Sequence, residues 1–253
     1  MNENGFVKYS IENKIATVEF GHPASNSLPG NILNELANII TSVGKEESVN
    51  VIVLRSAGER AFCAGASFDE LIAIKNKKVG LEFFSGFAKV INAMRSCGKI
   101  IIGRVQGKAV GGGVGVASSC DYCLATKFSS VKLSELAIGI GPFVVGPAVE
   151  RKTGTAAFSQ LALDATTWYD AEWAKSNGIY AEVLDNAEDL DEAVSKLGNT
   201  LANSNPEALG MLKNIFWQGT DHWDTLLYKR AQTSGTLVLS EFTRNAINKF
   251  KAK

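Results

Sequence analysis

The sequence predicts an α/β fold, and three observations carry that expectation. Val49–Ser56 and Ile100–Val105 are short, β-branched and nearly unbroken in apolarity, the pattern of strands covered on both faces. Around them apolar residues recur at helical spacing, so that strand, helix and strand alternate. With 253 residues and 45% apolar composition, the chain can bury a substantial core.

Taken in order, Phe6–Ile11 and Ile15–Phe20 flank Glu12-Asn13-Lys14 and predict an opening hairpin. A loop from Gly21 to Ser27 leads to Leu28, Ile32, Leu36, Ile39, Ile40 and Val43 at helical spacing, with Pro29 and Gly30 in the first turn. After the strand Val49–Ser56, Ala57–Phe68 reads as a loop. Asp69-Glu70-Leu71 then opens a helical region to about residue 96, its acidic residues suited to the positive end of the helix dipole. The strand Ile100–Val105 runs into Gly107-Lys-Ala-Val-Gly111-Gly112-Gly113-Val-Gly115, with a short helix starting near Gly112. Glycine inside a helix costs roughly 1 kcal/mol against alanine. Its repetition here marks either tight packing of a helix on a sheet or a functional site.

Tyr122–Thr126 and Ser129–Leu133 read as further strands, and Asp121 as a structural acceptor for nearby backbone donors. From Ala148 onward the pattern is nearly all helical, with a short strand at Ile179–Leu184 and a helix start at Asn205-Pro206. Ser240-Glu241 opens a last amphipathic helix with Phe242, Ala246, Ile247 and Phe250 on one side. The aromatic residues of this third, Trp168, Trp173, Phe216, Trp217, Trp223 and Tyr228, suit either a subunit interface or a plain core.

Charge narrows the function classes. Twenty-six basic residues balance 26 acidic ones, and beyond Lys249, Lys251 and Lys253 no basic cluster stands out, so neither nucleic acid nor an anionic membrane is the expected partner. The first residues lack the basic and apolar regions of a signal peptide, and no uncharged apolar run approaches the roughly 18 residues of a membrane span. The expected compartment is the cytoplasm. Cys63, Cys97, Cys120 and Cys123, with His22 and His222, form neither a disulfide framework nor a metal-ligand pattern, and no metal is expected. The cysteines read as small buried hydrophobes.

Two stretches share one layout: a buried strand, small residues with accessible backbone, then a helix. They are Ala61-Phe62-Cys63-Ala64-Gly65-Ala66 and the segment around Gly112. If neighbouring strands deliver both, two backbone N–H groups can aim at one oxygen, the design of an oxyanion hole. Neither stretch has the spacing of a dinucleotide fingerprint or a Walker loop.

These two stretches, together with Leu133-Ser-Glu135-Leu-Ala-Ile-Gly139 and Asp170-Ala-Glu-Trp-Ala-Lys-Ser-Asn-Gly178, resemble the crotonase superfamily, the enoyl-CoA hydratase/isomerase family, over almost the whole chain. The resemblance implies a spiral of ββα units over residues 1–195 and a helical oligomerisation region over 196–253, assembled as a homotrimer or a dimer of trimers. It implies an acyl-CoA substrate, with coenzyme A part of that substrate and no separate cofactor. The thioester oxygen would be held by the N–H groups of Ala66 and Gly112, beside Gly111. Ala64, Ala66, Ser67, Phe68 and Asp69 would line the path of the substrate. A hydratase of this family carries two glutamates; the second matches Glu135, but Gly115 stands at the position of the first. Phe143 stands where hydratases carry a small glycine, and should narrow or dry the acyl pocket. A lone glutamate suits moving a proton between carbons, so Δ3 to Δ2 double-bond isomerisation is the leading expectation. Hydration or dehydration, decarboxylation, thioester hydrolysis and noncatalytic CoA binding are the alternatives. The lysines of the tail either reach CoA phosphates or stay solvated.

Overall fold

In the computed structural model, which describes residues 4–251, β1 (Phe6–Glu12) and β2 (Ile15–Gly21) form the expected hairpin, with Phe6 opposite Gly21. Its two-residue connection holds Asn13 and Lys14 at φ of 50° and 65°, the left-handed pairing whose twist matches that of the strands. α1 (Gly30–Val43) follows, then β3 (Val51–Ser56), β4 (Ala61–Cys63), α2 (Phe68–Ile72) and α3 (Lys77–Ser96). The next turn of chain is β5 (Ile100–Val105), β6 (Lys108–Val110) and α4 (Gly112–Ser119). After it come β7 (Tyr122–Thr126), β8 (Val131–Lys132), a 3₁₀ turn (Glu135–Ile138) and α5 (Gly146–Leu163). The chain ends in α6 (Ala171–Ser176), β9 (Glu182–Leu184), α7 (Ala187–Ala202), α8 (Pro206–Phe216), α9 (Trp223–Leu237) and α10 (Glu241–Lys251).

Strands β3, β5 and β7 are thus each followed by a short strand and then by helix. With β1, β2 and β9 they make a six-stranded sheet in the order β1-β2-β3-β5-β7-β9, parallel except for the hairpin. The short ones make a second, parallel sheet, β4-β6-β8. Strands β3 and β5 are covered on both faces, as their composition requires. Ile52, Leu54 and Ile101 join the main core with α1 and α3, while Val51, Val53, Ile100 and Ile102 pack against Leu190, Val194 and Leu209 of α7 and α8. α7 runs across residue 195 onto this sheet, a continuous helix at the point where the sequence places a boundary.

Several expectations are corrected. The presumed loop 57–68 contains β4, and the glycine-rich segment contains β6; both strands are three residues long, too short to show a period. The helical region 69–96 is two helices, because Asn76 caps α3 by accepting from Val79 N–H at 3.0 Å. The strands expected at 129–133 and 179–184 shrink to Val131–Lys132 and Glu182–Leu184. On α10 the buried side chains are Thr243 and Ile247, and Phe242 is 70% exposed. Of the crowded aromatics, Trp217 and Trp223 are buried edge to face, whereas Trp168, Phe216 and Tyr228 are exposed. The four cysteines are buried and free. Lys253 lies outside the described residues, as do the side chains of Phe250 and Lys251.

Asp121, just past α4, accepts from a backbone donor, Ile101 N–H at 2.7 Å, and from two side chains, Lys213 Nζ at 2.7 Å and Trp217 Nε1 at 2.8 Å. Lys213 and Asp121 are both sealed from solvent, with side-chain exposures of 2% and 1%. Removing one partner of such a pair strands a buried charge, which costs about 3–5 kcal/mol. Lys213→Met is therefore expected to lower stability by about that amount in urea titration, while Lys213→Met combined with Asp121→Asn recovers part of the loss.

Candidate active site

The site is where the three strands of the small sheet end. Parallel pairing of β4, β6 and β8 puts their C-terminal ends on one edge, so the chain leaves them as Ala64-Gly65-Ala66, Gly111-Gly112 and Leu133-Ser134-Glu135 side by side. Three segments far apart in sequence meet there.

The first two approach backbone to backbone. Ala64 N–H donates to Ser25 O at 3.2 Å and Gly65 O accepts from Leu28 N–H at 2.8 Å, which fastens the loop to the start of α1. Gly65 takes φ +90°, and a Cβ there would lie 3.0 Å from Val110 O and 3.7 Å from Gly112 N. Gly111, at φ +52°, turns the chain from β6 into α4, a conformation that side-chain-bearing residues rarely adopt. Among the described residues neither Ala66 N–H nor Gly112 N–H has an acceptor within the protein. Gly112 is the first residue of α4, where unmet donors and the helix dipole both favour negative charge.

Glu135 lies directly beside them. A Cβ on Gly111 would sit 3.1 Å from Glu135 Oε1. Its other oxygen, Oε2, is buried without a hydrogen-bond partner among the described residues. Burial penalises the charged form, so its pKa rises from 4.5 to about 7, opposed only by its own backbone N–H. The 3₁₀ turn that carries it is tied at its far end: Ile140 N–H donates to Glu135 O at 3.1 Å, and Thr243 Oγ1 on α10 donates to Gly139 O at 3.2 Å.

A cavity of about 320 Å³ opens onto these groups. Of the residues expected at the site, Ala64, Ala66, Phe68, Gly111, Gly112, Glu135 and Phe143 line it. Ser67 and Asp69 do not: Ser67 is buried as the cap of α2, accepting from Glu70 N–H at 3.3 Å, and Asp69 is exposed. Neighbouring Glu70 is also committed elsewhere, holding Gly30 N–H at the start of α1. Other parts of the wall are not marked as such by the sequence. Among them are Phe83, Phe84 and Phe87 of α3, Val145, and Ser234 of α9. The spacing of the three phenylalanines along α3 marks one helix face and would have shown them; nothing local marks Ser234.

The same wall explains Gly115. A Cβ at that position would meet Val145 Cγ1 at 2.6 Å and Cβ at 2.7 Å, so the space a side chain would need belongs to valine. The arrangement is two free N–H groups, one of them at the start of α4, one buried carboxyl, and carbon walls around them. Such a site can hold a carbonyl oxygen as it gains negative charge and move a proton alongside.

Similarity to known proteins identifies the family and the fold. The family described as enoyl-CoA hydratase/isomerase matches residues 10–250. A short-chain-enoyl-CoA hydratase of Clostridium acetobutylicum is 28% identical over 245 residues, covering 96% of this chain and 93% of its own. A peroxisomal Δ(3,5)-Δ(2,4)-dienoyl-CoA isomerase of Arabidopsis thaliana is 27% identical over 205 residues, covering 75% and 72%. The fold matches the crystal structure of an enoyl-CoA hydratase from Bacillus halodurans with a TM-score of 0.89 at 18% identity, over 96% of this chain and 99% of that one. The chain belongs to the enoyl-CoA hydratase/isomerase family.

Proposed function

We propose that the protein isomerises an enoyl-CoA thioester, moving its double bond from the 3- to the 2-position, with Glu135 as the single acid–base group. The observation that carries this reading is the Val145 side chain against Gly115, which leaves no room for a second carboxylate beside the first. Water addition needs one group to activate water and another to protonate carbon; double-bond migration needs one group that does both in turn.

In the proposed reaction the thioester oxygen lies between Ala66 N–H and Gly112 N–H. The Glu135 carboxylate removes a proton from the α carbon. The electron pair delocalises onto the thioester oxygen, where the two N–H groups and the start of α4 stabilise it. The resulting Glu135 carboxylic acid then returns the proton to the γ carbon, leaving the double bond between α and β carbons. Nothing is consumed. A carboxyl with a pKa of about 7 is suited to both halves, because neither protonation state is far from the other in free energy. Hydration is the second reading, favoured by the similarity to the short-chain-enoyl-CoA hydratase of Clostridium acetobutylicum. The two differ in product mass.

In D2O the enzyme should convert a 3-enoyl-CoA to its 2-enoyl isomer without net addition of water, carrying deuterium wherever the Glu135 acid exchanges with solvent before it returns its proton, and Glu135→Gln should slow the conversion at least a hundredfold. A product one water heavier would decide for hydration instead. Because the base form is required, kcat/KM should rise with pH through a midpoint near 7.

The same shift acts on stability. The folded-state pKa lies above the ordinary value of 4.5, so the protonated form stabilises the fold fully below about pH 4.5 and the benefit is lost as pH rises through about 7. Unfolding measured between these limits should show wild type losing up to about 3 kcal/mol relative to Glu135→Gln.

Overpacking supplies a third check. Gly115→Glu should destabilise by about 1–3 kcal/mol or more through collision with Val145, and Val145→Gly in the same chain should restore part of it.

A further inference from the structure

The cavity walls are almost entirely carbon. Among the described residues the polar side chains lining it are Ser134, Glu135 and Ser234. Ser134 and Glu135 are adjacent at the reacting end, whereas Ser234 comes from α9.

Its position follows from how α9 meets α3. Gly80 and Gly235 bring the two helix backbones into direct contact: a Cβ on Gly80 would lie 2.7 Å from Gly235 O. Ser234, next to Gly235, is thereby pressed into the wall that Phe83, Phe84 and Phe87 build. Phe87 in turn packs on the hole, since a Cβ on Gly112 would lie 2.2 Å from its Cζ. From Gly80 to Phe87 is two turns of α3, about 10 Å at 1.5 Å per residue. Ser234 therefore stands at the Gly80 end of the phenylalanine wall, away from the Phe87 end that meets Gly112.

The hydroxyl is also uncommitted. Ser234 is 1% exposed, and among the described residues its Oγ has no hydrogen-bond partner. A helical serine ordinarily bonds back to the carbonyl one turn earlier. Its neighbour Thr233 does so, donating to Lys229 O at 3.2 Å. A hydroxyl that lines a carbon-walled cavity without a protein partner is available to a hydrogen-bonding group of the ligand.

The ligand oxygen that meets it must be neutral. No lysine, arginine or histidine lines the cavity, and its one ionisable group is itself pushed toward the uncharged form by burial. Arg230, one turn before Ser234, gives its Nη1 to Phe143 O at 3.2 Å and is not part of the wall. A carboxylate on the acyl chain would be buried without a counter-charge.

We infer that Ser234 is a specificity-determining residue, and that the acyl group this cavity selects carries a neutral hydrogen-bonding oxygen, hydroxyl or keto, several carbons beyond the thioester. The inference rests on the acyl-thioester reading above. A site that holds a hydrogen-bonding group for its substrate discriminates against the analogue lacking it, because the group is then left unmet.

The test uses 3-octenoyl-CoA alongside the same ester bearing a hydroxyl at carbon 6, 7 or 8 or a keto oxygen at carbon 6 or 7, with kcat/KM for double-bond migration as the readout. Wild type should prefer at least one oxygenated ester by about tenfold, the value of one hydrogen bond. In Ser234→Ala that ratio should fall toward one, while Ser234→Thr, which keeps a hydroxyl, should retain a preference. Thermal melts establish that both variants fold. Migration on all esters with no preference in wild type, or a preference that survives in Ser234→Ala, overturns the assignment of Ser234 and leaves the enolate chemistry standing. No migration on any ester overturns the parent reading and this one with it.

Discussion

The backbone of α4 packs against β4, α3 and Val145 so closely that side chains cannot follow. A Cβ on Gly112 would strike the Phe87 ring, one on Gly113 would come within 2.5 Å of Cys63 O, and one on Gly115 would strike Val145. The approach is expensive in helix propensity, but it brings peptide N–H groups, rather than side chains, to the edge of the small sheet. Donors fixed in this way need not reorganise when charge develops in front of them, which is what makes such a site effective. The glycine at 115 belongs to the same constraint. It leaves Glu135 as the only carboxyl lining the cavity among the described residues.

Holding a side-chain-poor helix in place requires anchoring from its other end. Asp121 follows α4 directly, and its carboxylate gathers the first N–H of the Ile101 region, Lys213 and Trp217. Its backbone O accepts from Lys152 Nζ at 2.9 Å. One residue thus joins β5, α5 and α8 at the point where α4 returns to the large sheet. A second polar network does the same between the sheets: Gln106 donates to Ser56 Oγ at 2.9 Å and to Ala61 O at 3.2 Å, linking the ends of β3 and β5 to the start of β4. These bonds are buried, and their loss would leave unmet polar groups in the core. The site edge is rigid because both sheets are pinned behind it.

What the sequence reveals follows from the range of the interaction that determines each feature. The hairpin, α1 and the strands β3 and β5 are legible because their signals are local: a turn, a helical repeat, an unbroken β-branched run. Glu135, Ala66 and Gly112 stand out because each sits in a short motif. By contrast β4 and β6 exist only through distant pairing, three residues apiece joined across 47 positions from Ala61 to Lys108. The partners of Asp121 lie 92 and 96 residues away, and no neighbouring residue announces them. Phe242 and Thr243 illustrate a third case. Helical periodicity locates an apolar stripe, yet a threonine whose hydroxyl meets Gly139 O is buried in preference to a phenylalanine one residue earlier, because the contact is a hydrogen bond to another element.

That contact bears on the chemistry. The turn carrying Glu135 is a single 3₁₀ turn, with poorer internal hydrogen bonds than an α-helix, and it could not by itself hold a carboxyl against its tendency to swing toward water. Desolvation, which raises the Glu135 pKa, is also a force expelling the ionised form from the cavity. Two things oppose it. Gly139 closes the turn at φ +81°, and its carbonyl is taken by Thr243, while Ile140 is buried in a cluster with Val238 and Ile247. α10 thus clamps the turn from outside, and the carbon walls act on the carboxyl from within. The perturbed pKa and the clamp are one design, since an unrestrained side chain would relax into solvent and regain an ordinary acidity.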